Sequence, residues 1–349
     1  MNRRIKIFIY FVIIIIFSGC YTKKIIYCPY YVRPFDWYPE DKRDSTIQFY
    51  SPYFQGLKIF IDSGHGGTDR KNKGPQGLAI EAELNLRVGL FLKDYLTRAG
   101  ATVIMSRDRD TFISLDDRSR LANEANVDVF ISIHHNAPGR EGDIYTNYTS
   151  TYYHATPKDY EYDHSSHDIA RYVQRDLAFA MGNSGGLGSF DGTYSDYWIY
   201  PKAGFSVLRK TEAPRILVEC AFHTSEYEEQ RLIIEEFNQI QAWGIFKGLG
   251  KYLRQGIVRL SLLKDTISVS NNNSIEIFID DQNIGIDTTF FITQIDSQDV
   301  QAKFVLNREK KLIIPVSIDN LGTREVKVVV RNKNGNHSFP FRKKVVIIG

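Results

Sequence analysis

The pattern of hydrophobic residues along the chain changes near residue 256. Before that point, apolar runs of strand length alternate with segments of helical period. The apolar runs are 57–61, 102–105, 128–133 and 215–218. One helical segment repeats apolar residues at three- and four-residue spacings from Leu84 to Ala99 and stops at Gly100. This alternation predicts an α/β domain over 57–255, with a twisted, mostly parallel sheet and helices on both faces.

Beyond residue 256 the pattern becomes that of β-strands. Short β-branched runs are separated by turn-prone clusters such as Asn271–Asn273 and Asn334–Asn336. This pattern predicts a small all-β, sandwich-like domain over 256–349. The segment contains one histidine and no cysteine, so we assign no chemistry to it.

The amino terminus resembles a bacterial lipoprotein signal. Basic residues precede an apolar run at 7–17, and Ser18 and Gly19 come directly before Cys20. We therefore expect residues 1–19 to be a signal peptide and Cys20 to be the lipidated first residue. The alternative is an uncleaved anchor helix, although the run is shorter than the roughly 20 residues that span a bilayer. Residues 20–56 are rich in tyrosine, proline and charge without a sustained period, which predicts a tether.

The expected location follows from this amino terminus. Both alternatives place the globular part outside the cytoplasm, with the membrane as a partner through the anchor. Tyr21 offers no acidic retention signal after Cys20. The resemblance to bacterial lipoproteins then implies a periplasmic protein held by lipid at the outer membrane of a Gram-negative cell.

The charge balance argues against a nucleic-acid partner. The 349 residues include 44 Lys and Arg against 41 Asp and Glu. Removal of the signal peptide takes away Arg3, Arg4 and Lys6 and leaves 41 of each, so no overall basic charge remains for nucleic acid. The three cysteines are too few and too scattered for a disulfide scaffold or a thiolate zinc cluster.

Polar residues lie where predicted strands end. His65 follows one strand between glycines, His134 follows a second, and Glu219 ends a third. Ligands in open α/β sheets bind beyond the carboxyl ends of the strands, so these three side chains should converge. Glu81 opens the helix that follows a Gly74–Gly77 turn.

This residue set is typical of a catalytic zinc site. Two imidazoles and a carboxylate are a usual zinc ligand set that leaves one position for water, and a second carboxylate can accept the proton of that water. Each residue alone has a structural alternative: a buried histidine, a helix-capping glutamate, or a Glu219 that pairs with Arg209 or Arg215. The joint pattern favours a metal hydrolase.

The same segments resemble the zinc-dependent N-acetylmuramoyl-L-alanine amidases of bacterial cell walls. The likeness spans about residues 57 to 253, and its ordered set of motifs is specific. The matching segments are Ile61–Gly67, Gly77–Leu86, Ser106–Asp108, Ser132–Ala137, Val207–Arg209 and Pro214–Glu219. The resemblance implies that His65, Glu81 and His134 bind Zn²⁺ and that Glu219 is the catalytic carboxylate. It also implies peptidoglycan as the substrate, cleaved between N-acetylmuramic acid and L-alanine.

Departures from the family pattern leave alternatives open. One extra residue precedes Glu81, which makes Glu83 a rival, although Glu83 would point roughly 200 degrees further round the helix. Strand alternation sends His135 to the face opposite His134. Cys220 is expected to be a small buried residue, with a disulfide to Cys28 as the alternative.

The long segment between Pro138 and Ser206 supports two interpretations. It is either a substrate groove or lid lined by aromatic rings, or an ordinary surface insertion. Its tyrosines include Tyr145, Tyr148, Tyr152, Tyr153, Tyr194, Tyr197 and Tyr200. We expect His154, His164 and His167 within it to be solvated. No substrate-binding residue is assigned.

Two other functions compete with the amidase. One is a non-catalytic, wall-binding regulatory lipoprotein, and the other is a zinc peptidase that acts on the stem peptide. A protein activator is a further partner that the sequence leaves open.

Overall fold

The computed structural model describes residues 29–156, 163–185, 191–270, 274–306 and 308–349. The predicted signal peptide, Cys20 and Cys28 lie outside these residues. Across the described ranges, no helix combines the length and the apolar character that crossing a membrane requires.

A six-stranded sheet forms the centre of the first domain. Its strands are β1 (Lys58–Ser63), β2 (Thr102–Met105), β3 (Val129–Asn136), β4 (Ser150–Tyr153), β5 (Thr193–Ser195) and β6 (Arg215–Phe222). The spatial order is β2-β1-β3-β6-β4-β5. Neighbouring strands among β2, β1, β3 and β6 are parallel, whereas β4 runs antiparallel to β6. The prediction of a mostly parallel sheet is confirmed.

Helices cover both faces of this sheet. They are α1 (Glu40–Phe54), α2 (Glu81–Arg98), α3 (Leu115–Glu124), α4 (His164–Met181), α5 (Ser206–Lys210), α6 (Glu226–Leu232) and α7 (Glu235–Arg254). Ile59 and Ile61 of β1 pack into one core with α1, α2, α4 and α7. Phe60, between them, packs into a second core with α3 and α5. This alternation is why apolar residues run continuously along the strand.

The tether prediction for residues 20–56 is wrong over its second half. Residues 40–54 form α1, whose buried Ile47, Tyr50 and Phe54 lie three and four residues apart. The Phe54 ring stacks on Phe246 of α7 at 5.2 Å between centroids. This short apolar stripe is hard to recognise because aromatic residues occur throughout the segment and Pro52 lies inside the helix.

The second domain consists of two packed sheets, as predicted. One has the order β11-β10-β14-β15-β8 and the other β12-β13-β9-β7. Its strands are β7 (Arg259–Leu262), β8 (Thr266–Ser268), β9 (Ser274–Asp280), β10 (Ile286–Ile295), β11 (Gln298–Asp299), β12 (Lys303–Leu306), β13 (Lys310–Pro315), β14 (Gly322–Asn332) and β15 (Arg342–Ile348). The inner faces share one core of isoleucine and valine.

Ion pairs join the β-domain to α4 of the first domain. Arg342 contacts the buried carboxylate of Asp163 at 2.6 Å, and Asp163 also contacts Arg215 of β6. Asp168 accepts hydrogen bonds from the main chain and ring of His337. The β-domain is therefore anchored to the strand that carries Glu219.

Candidate active site

The loop after β1 presents His65. This residue has a positive φ of 59° and is followed by Gly66 and Gly67, which also have positive φ. Arg118 of α3 fixes the position of this loop by donating hydrogen bonds to the carbonyls of Ser63 and His65. Asp69 contacts His65 Nδ1 at 2.7 Å, which leaves Nε2 directed into the cleft.

Glu81 lies at the first position of α2 and contacts both histidines. Its Oε2 is 3.2 Å from His65 Nε2, and its Oε1 is 3.0 Å from His134 Nδ1. Asn72 donates to Oε2 at 2.6 Å. The rival Glu83 is directed away and forms an ion pair with Arg70. The structure therefore brings Glu81, and not Glu83, to the histidines.

His134 completes the cluster from the end of β3. Its ring lies edge-on to that of His65, 5.0 Å away. Gly64 makes room for it, because a Cβ at Gly64 would lie 2.2 Å from His134 Cε1. The ligand atoms of His65, Glu81 and His134 lie within 4.8 Å of one another. These donors can hold one metal ion.

Glu219 lies on β6, directly opposite His134 in the strand register. Its Oε2 is buried, and within the described parts of the chain it has no hydrogen-bond partner. Arg215 pairs with Asp163 and Arg209 donates to main-chain carbonyls, so neither forms the ion pair with Glu219 that was the structural alternative. Burial, and then the charge of Glu81, raises the pKa of Glu219.

The surroundings of the two glutamates of the cleft shift their pKa values in opposite directions. Burial alone would raise the pKa of Glu81, but hydrogen bonds and charges from His134 and His65 hold it well below its usual range. Burial alone would lower the pKa of His65, yet Glu81 and Asp69 raise it to about 9. In the metal-free protein, Glu81 is therefore an anion stabilised by imidazolium.

The cleft around these groups has a volume of about 500 Å³. The side chains that line it include Phe112, Leu115 and Tyr200, each more than half exposed. Of the seven tyrosines named above, all of them described, Tyr200 lines this cleft. Tyr152 and Tyr153 are instead buried in the sheet. One of the seven rings that the groove interpretation of residues 138–206 invoked therefore lies at the cleft.

Neighbouring residues have structural roles. His135 is buried between Asn85 and Gln241, with ring contacts of 2.8 and 3.0 Å. Burial lowers the pKa of His135 to about 3, so its ring is neutral. Cys220 is a buried thiol in the core, as expected for a small apolar residue.

The expectation that the insertion histidines are solvated is wrong for two of them. His154 is buried and contacts Asp196 at 2.9 Å. His164 is buried where α4 meets the β-domain, 5.0 Å from the His337 ring. His167 is partly buried and stacks on Tyr153.

Two arginines, Arg107 and Arg118, fix the end of β1, and the sequence pattern predicts no role for either of them. Arg118 pairs with the fully buried Asp62 at 2.6 Å. Arg107 donates to the carbonyls of Ser63, Gly64 and Ala82 and so ties β1 to the start of α2. Their contacts join residues 25 to 56 positions apart, and no local pattern predicts contacts over such separations.

Comparison with known proteins identifies the family of this chain. Residues 59–251 match the family model described as N-acetylmuramoyl-L-alanine amidase. The chain is 33% identical to the amidase LytC of Bacillus subtilis over 57% of this chain and 36% of that protein. It is 31% identical to the sporulation-specific N-acetylmuramoyl-L-alanine amidase of the same organism, over 55% of this chain and 67% of that protein.

One solved structure supports the fold of the first domain and nothing beyond the fold. The amidase Ami1 from Mycobacterium smegmatis superposes with a TM-score of 0.50 at 20% identity, covering 58% of this chain and 98% of that one. The chain thus spans about a third of LytC but nearly all of the Ami1 structure. The family match covers more than half of the chain, and the chain therefore belongs to the N-acetylmuramoyl-L-alanine amidase family.

Proposed function

We propose that this protein is a zinc-dependent amidase that hydrolyses the bond between N-acetylmuramic acid and L-alanine in peptidoglycan. The observation that carries the proposal is the convergence of His65, Glu81, His134 and Glu219 on one cleft. Three of them are a ligand set for zinc, and the fourth is a carboxylate with an unpartnered buried oxygen. Family membership supports the choice of bond.

The residues present fit a zinc ion. Two imidazoles and one carboxylate supply nitrogen and oxygen donors of the kind that zinc accepts, and their atoms lie within 4.8 Å of one another. Asp69, Asn72 and Asn85 hold these side chains by hydrogen bonds. When bound, zinc supplies Lewis acidity toward water and toward the amide carbonyl.

Glu219 moves the proton in this mechanism. As a carboxylate it accepts a proton from the attacking water while the water oxygen bonds to the lactyl carbonyl carbon. It then gives that proton to the alanine nitrogen as the carbon–nitrogen bond breaks. The products are a lactyl carboxylate on the glycan and a stem peptide with a free L-alanine amine. Among the described residues, Oε2 has no hydrogen-bond partner that would compete with the water.

Digestion of purified peptidoglycan tests the proposal. The zinc-loaded full chain should release stem peptides that begin with a free L-alanine amine, identified by amine labelling and mass spectrometry. Glu219→Gln should keep the zinc and lose about 100-fold or more of this activity, since a general base contributes 10²–10⁴-fold. Glu83→Gln is the matched control, because Glu83 is a carboxylate on the same helix that points away from the cleft; its activity should stay near that of the wild type.

Two outcomes would replace the proposal. If the wild type holds zinc but releases no peptide, the regulatory lipoprotein gains support. If the new amine belongs to another residue of the stem peptide, the protein is a peptidase. The physiological role that we propose for the amidase is cell-wall remodelling, including daughter-cell separation or recycling.

We also propose that the protein is lipidated at Cys20 and held at the periplasmic side of the outer membrane. The basic and apolar amino terminus and the small residues before Cys20 support this location. An anchored amidase would act on peptidoglycan within reach of the membrane.

A further inference from the structure

A buried carboxylate outside the cleft holds the loop that leads to Glu81. Glu229 of α6 is fully buried. Its oxygens accept hydrogen bonds from the main-chain N–H groups of Gln76, Leu78 and Ala79, at 2.9, 2.8 and 3.1 Å. Among the described residues, Arg231 of the same helix forms its ion pair with Glu228 and not with Glu229. The loop itself therefore compensates the burial of this carboxylate.

The anchored loop is a small hairpin whose ends belong to the candidate metal site. Lys73 pairs with Ile80 across the hairpin. Next to that pair, Glu81 N donates to Asn72 O at 3.1 Å, and the Asn72 side chain donates to Glu81 Oε2. The position of the hairpin thus determines where the Glu81 carboxylate lies. It also determines where the side-chain amide of Asn72, which orients that carboxylate, lies.

The approach of α6 to the hairpin is close. A Cβ at Gly74 would lie 2.3 Å from Glu229 Oε1 and 2.8 Å from the His223 carbonyl oxygen. His223 and Glu229 belong to the segment that directly follows β6, the strand of Glu219. The Glu229 contacts therefore connect the Glu81 side of the cleft to the Glu219 side.

We propose that Glu229 is a positioning residue that fixes Glu81 for metal binding by holding the 72–79 hairpin against α6. This inference rests on the proposed zinc site. It predicts that loss of the Glu229 charge weakens zinc binding although Glu229 does not itself touch the site. Partners of metal ligands typically contribute 10- to 100-fold to metal affinity.

Glu229→Gln tests this role, because glutamine keeps the size of the side chain but places an NH₂ group against the donor N–H groups. We expect the zinc Kd, measured by chelator competition in the full chain, to rise about 10-fold or more. Hydrogen exchange of residues 76–81 in zinc-free protein should also become about 10-fold or more faster, which is the scale of one lost charge-assisted hydrogen bond. Gly74→Ala, which pushes on the same carboxylate, should give both effects, so the test survives if Glu229→Gln does not fold.

Asp281→Asn is the matched control. Asp281 is also a buried carboxylate that accepts turn N–H groups, from Asn283 and Gly285, but it lies in the β-domain and also pairs with Lys310. Its substitution should leave the zinc Kd and the exchange of residues 76–81 unchanged. A Glu229→Gln protein with zinc Kd within twofold of wild type overturns the positioning role, whatever its stability. If the wild type binds no zinc, the proposed function fails, and the exchange of residues 76–81 then decides alone whether Glu229 holds the loop.

Discussion

Gly64→Ala probes the packing that places His134. The new Cβ would lie 2.2 Å from His134 Cε1 and 2.3 Å from Nε2, about 1.2 Å closer than ordinary contact. The ring has little room to retreat, because it rests against His65 and contacts Glu81 through Nδ1. We expect His134 to rotate away from Glu81, with an overpacking cost of about 1–3 kcal/mol. Loss of one ligand from its place should raise the zinc Kd by more than about 10-fold, which is roughly 1.4 kcal/mol.

Calorimetric zinc titration measures the change in zinc Kd, and urea unfolding of the zinc-free protein measures the loss of stability. Gly139→Ala is the control, since Gly139 follows the same strand but has nothing within 4 Å of an added Cβ. It should match the wild type in both assays. Zinc binding by Gly64→Ala within a factor of two of wild type, in a protein of unchanged stability, would show that His134 does not pack against Gly64 beside Glu81.

Two further predictions concern other parts of the chain. Asp163→Asn should destabilise the protein by about 3–5 kcal/mol in urea unfolding, because it removes the buried carboxylate charge that both Arg215 and Arg342 contact; a loss below about 1 kcal/mol would contradict the ion-pair role. Burial would raise the pKa of Asp163, but both arginines outweigh it and lower the pKa, so this stabilisation is complete above the usual Asp range and disappears as the pH falls through the lowered value. Cys20→Ala should abolish incorporation of a labelled fatty acid in the expressing cell, and continued labelling would place any lipid at another residue.

The pattern of apolar runs predicted the sheet because β1, β3 and β6 are buried on both faces. Such strands are continuous apolar segments, and their ends are marked by the first polar residues. This is why the amino-acid pattern alone places His65, His134 and Glu219 at one edge of the sheet. Glu81 is different, since a glutamate that opens a helix is common. Its choice over Glu83 required the family resemblance, and the structure places Glu81 against both histidines.

Individual side-chain contacts between distant elements, away from the shared edge of the sheet, could not be predicted. Arg118 and Asp62 are 56 residues apart, and Glu229 lies about 150 residues beyond the loop that it holds. The spacing of apolar residues shows which face of a helix or strand is buried. It does not show which helices, strands and loops become neighbours, and these contacts depend on that.

The two glutamates of the cleft are suited to different tasks by their hydrogen bonds. Both oxygens of Glu81 are occupied by imidazole, amide or main-chain N–H groups. A carboxylate held in this way keeps its charge and its orientation, as a metal ligand must. Glu219 Oε2 has no such partner among the described residues, so a proton can bind and leave there without breaking an existing hydrogen bond. The surroundings of the two glutamates therefore suit the roles that we propose for them, a fixed ligand for Glu81 and a proton acceptor for Glu219, because the folded chain surrounds only Glu81 with donors.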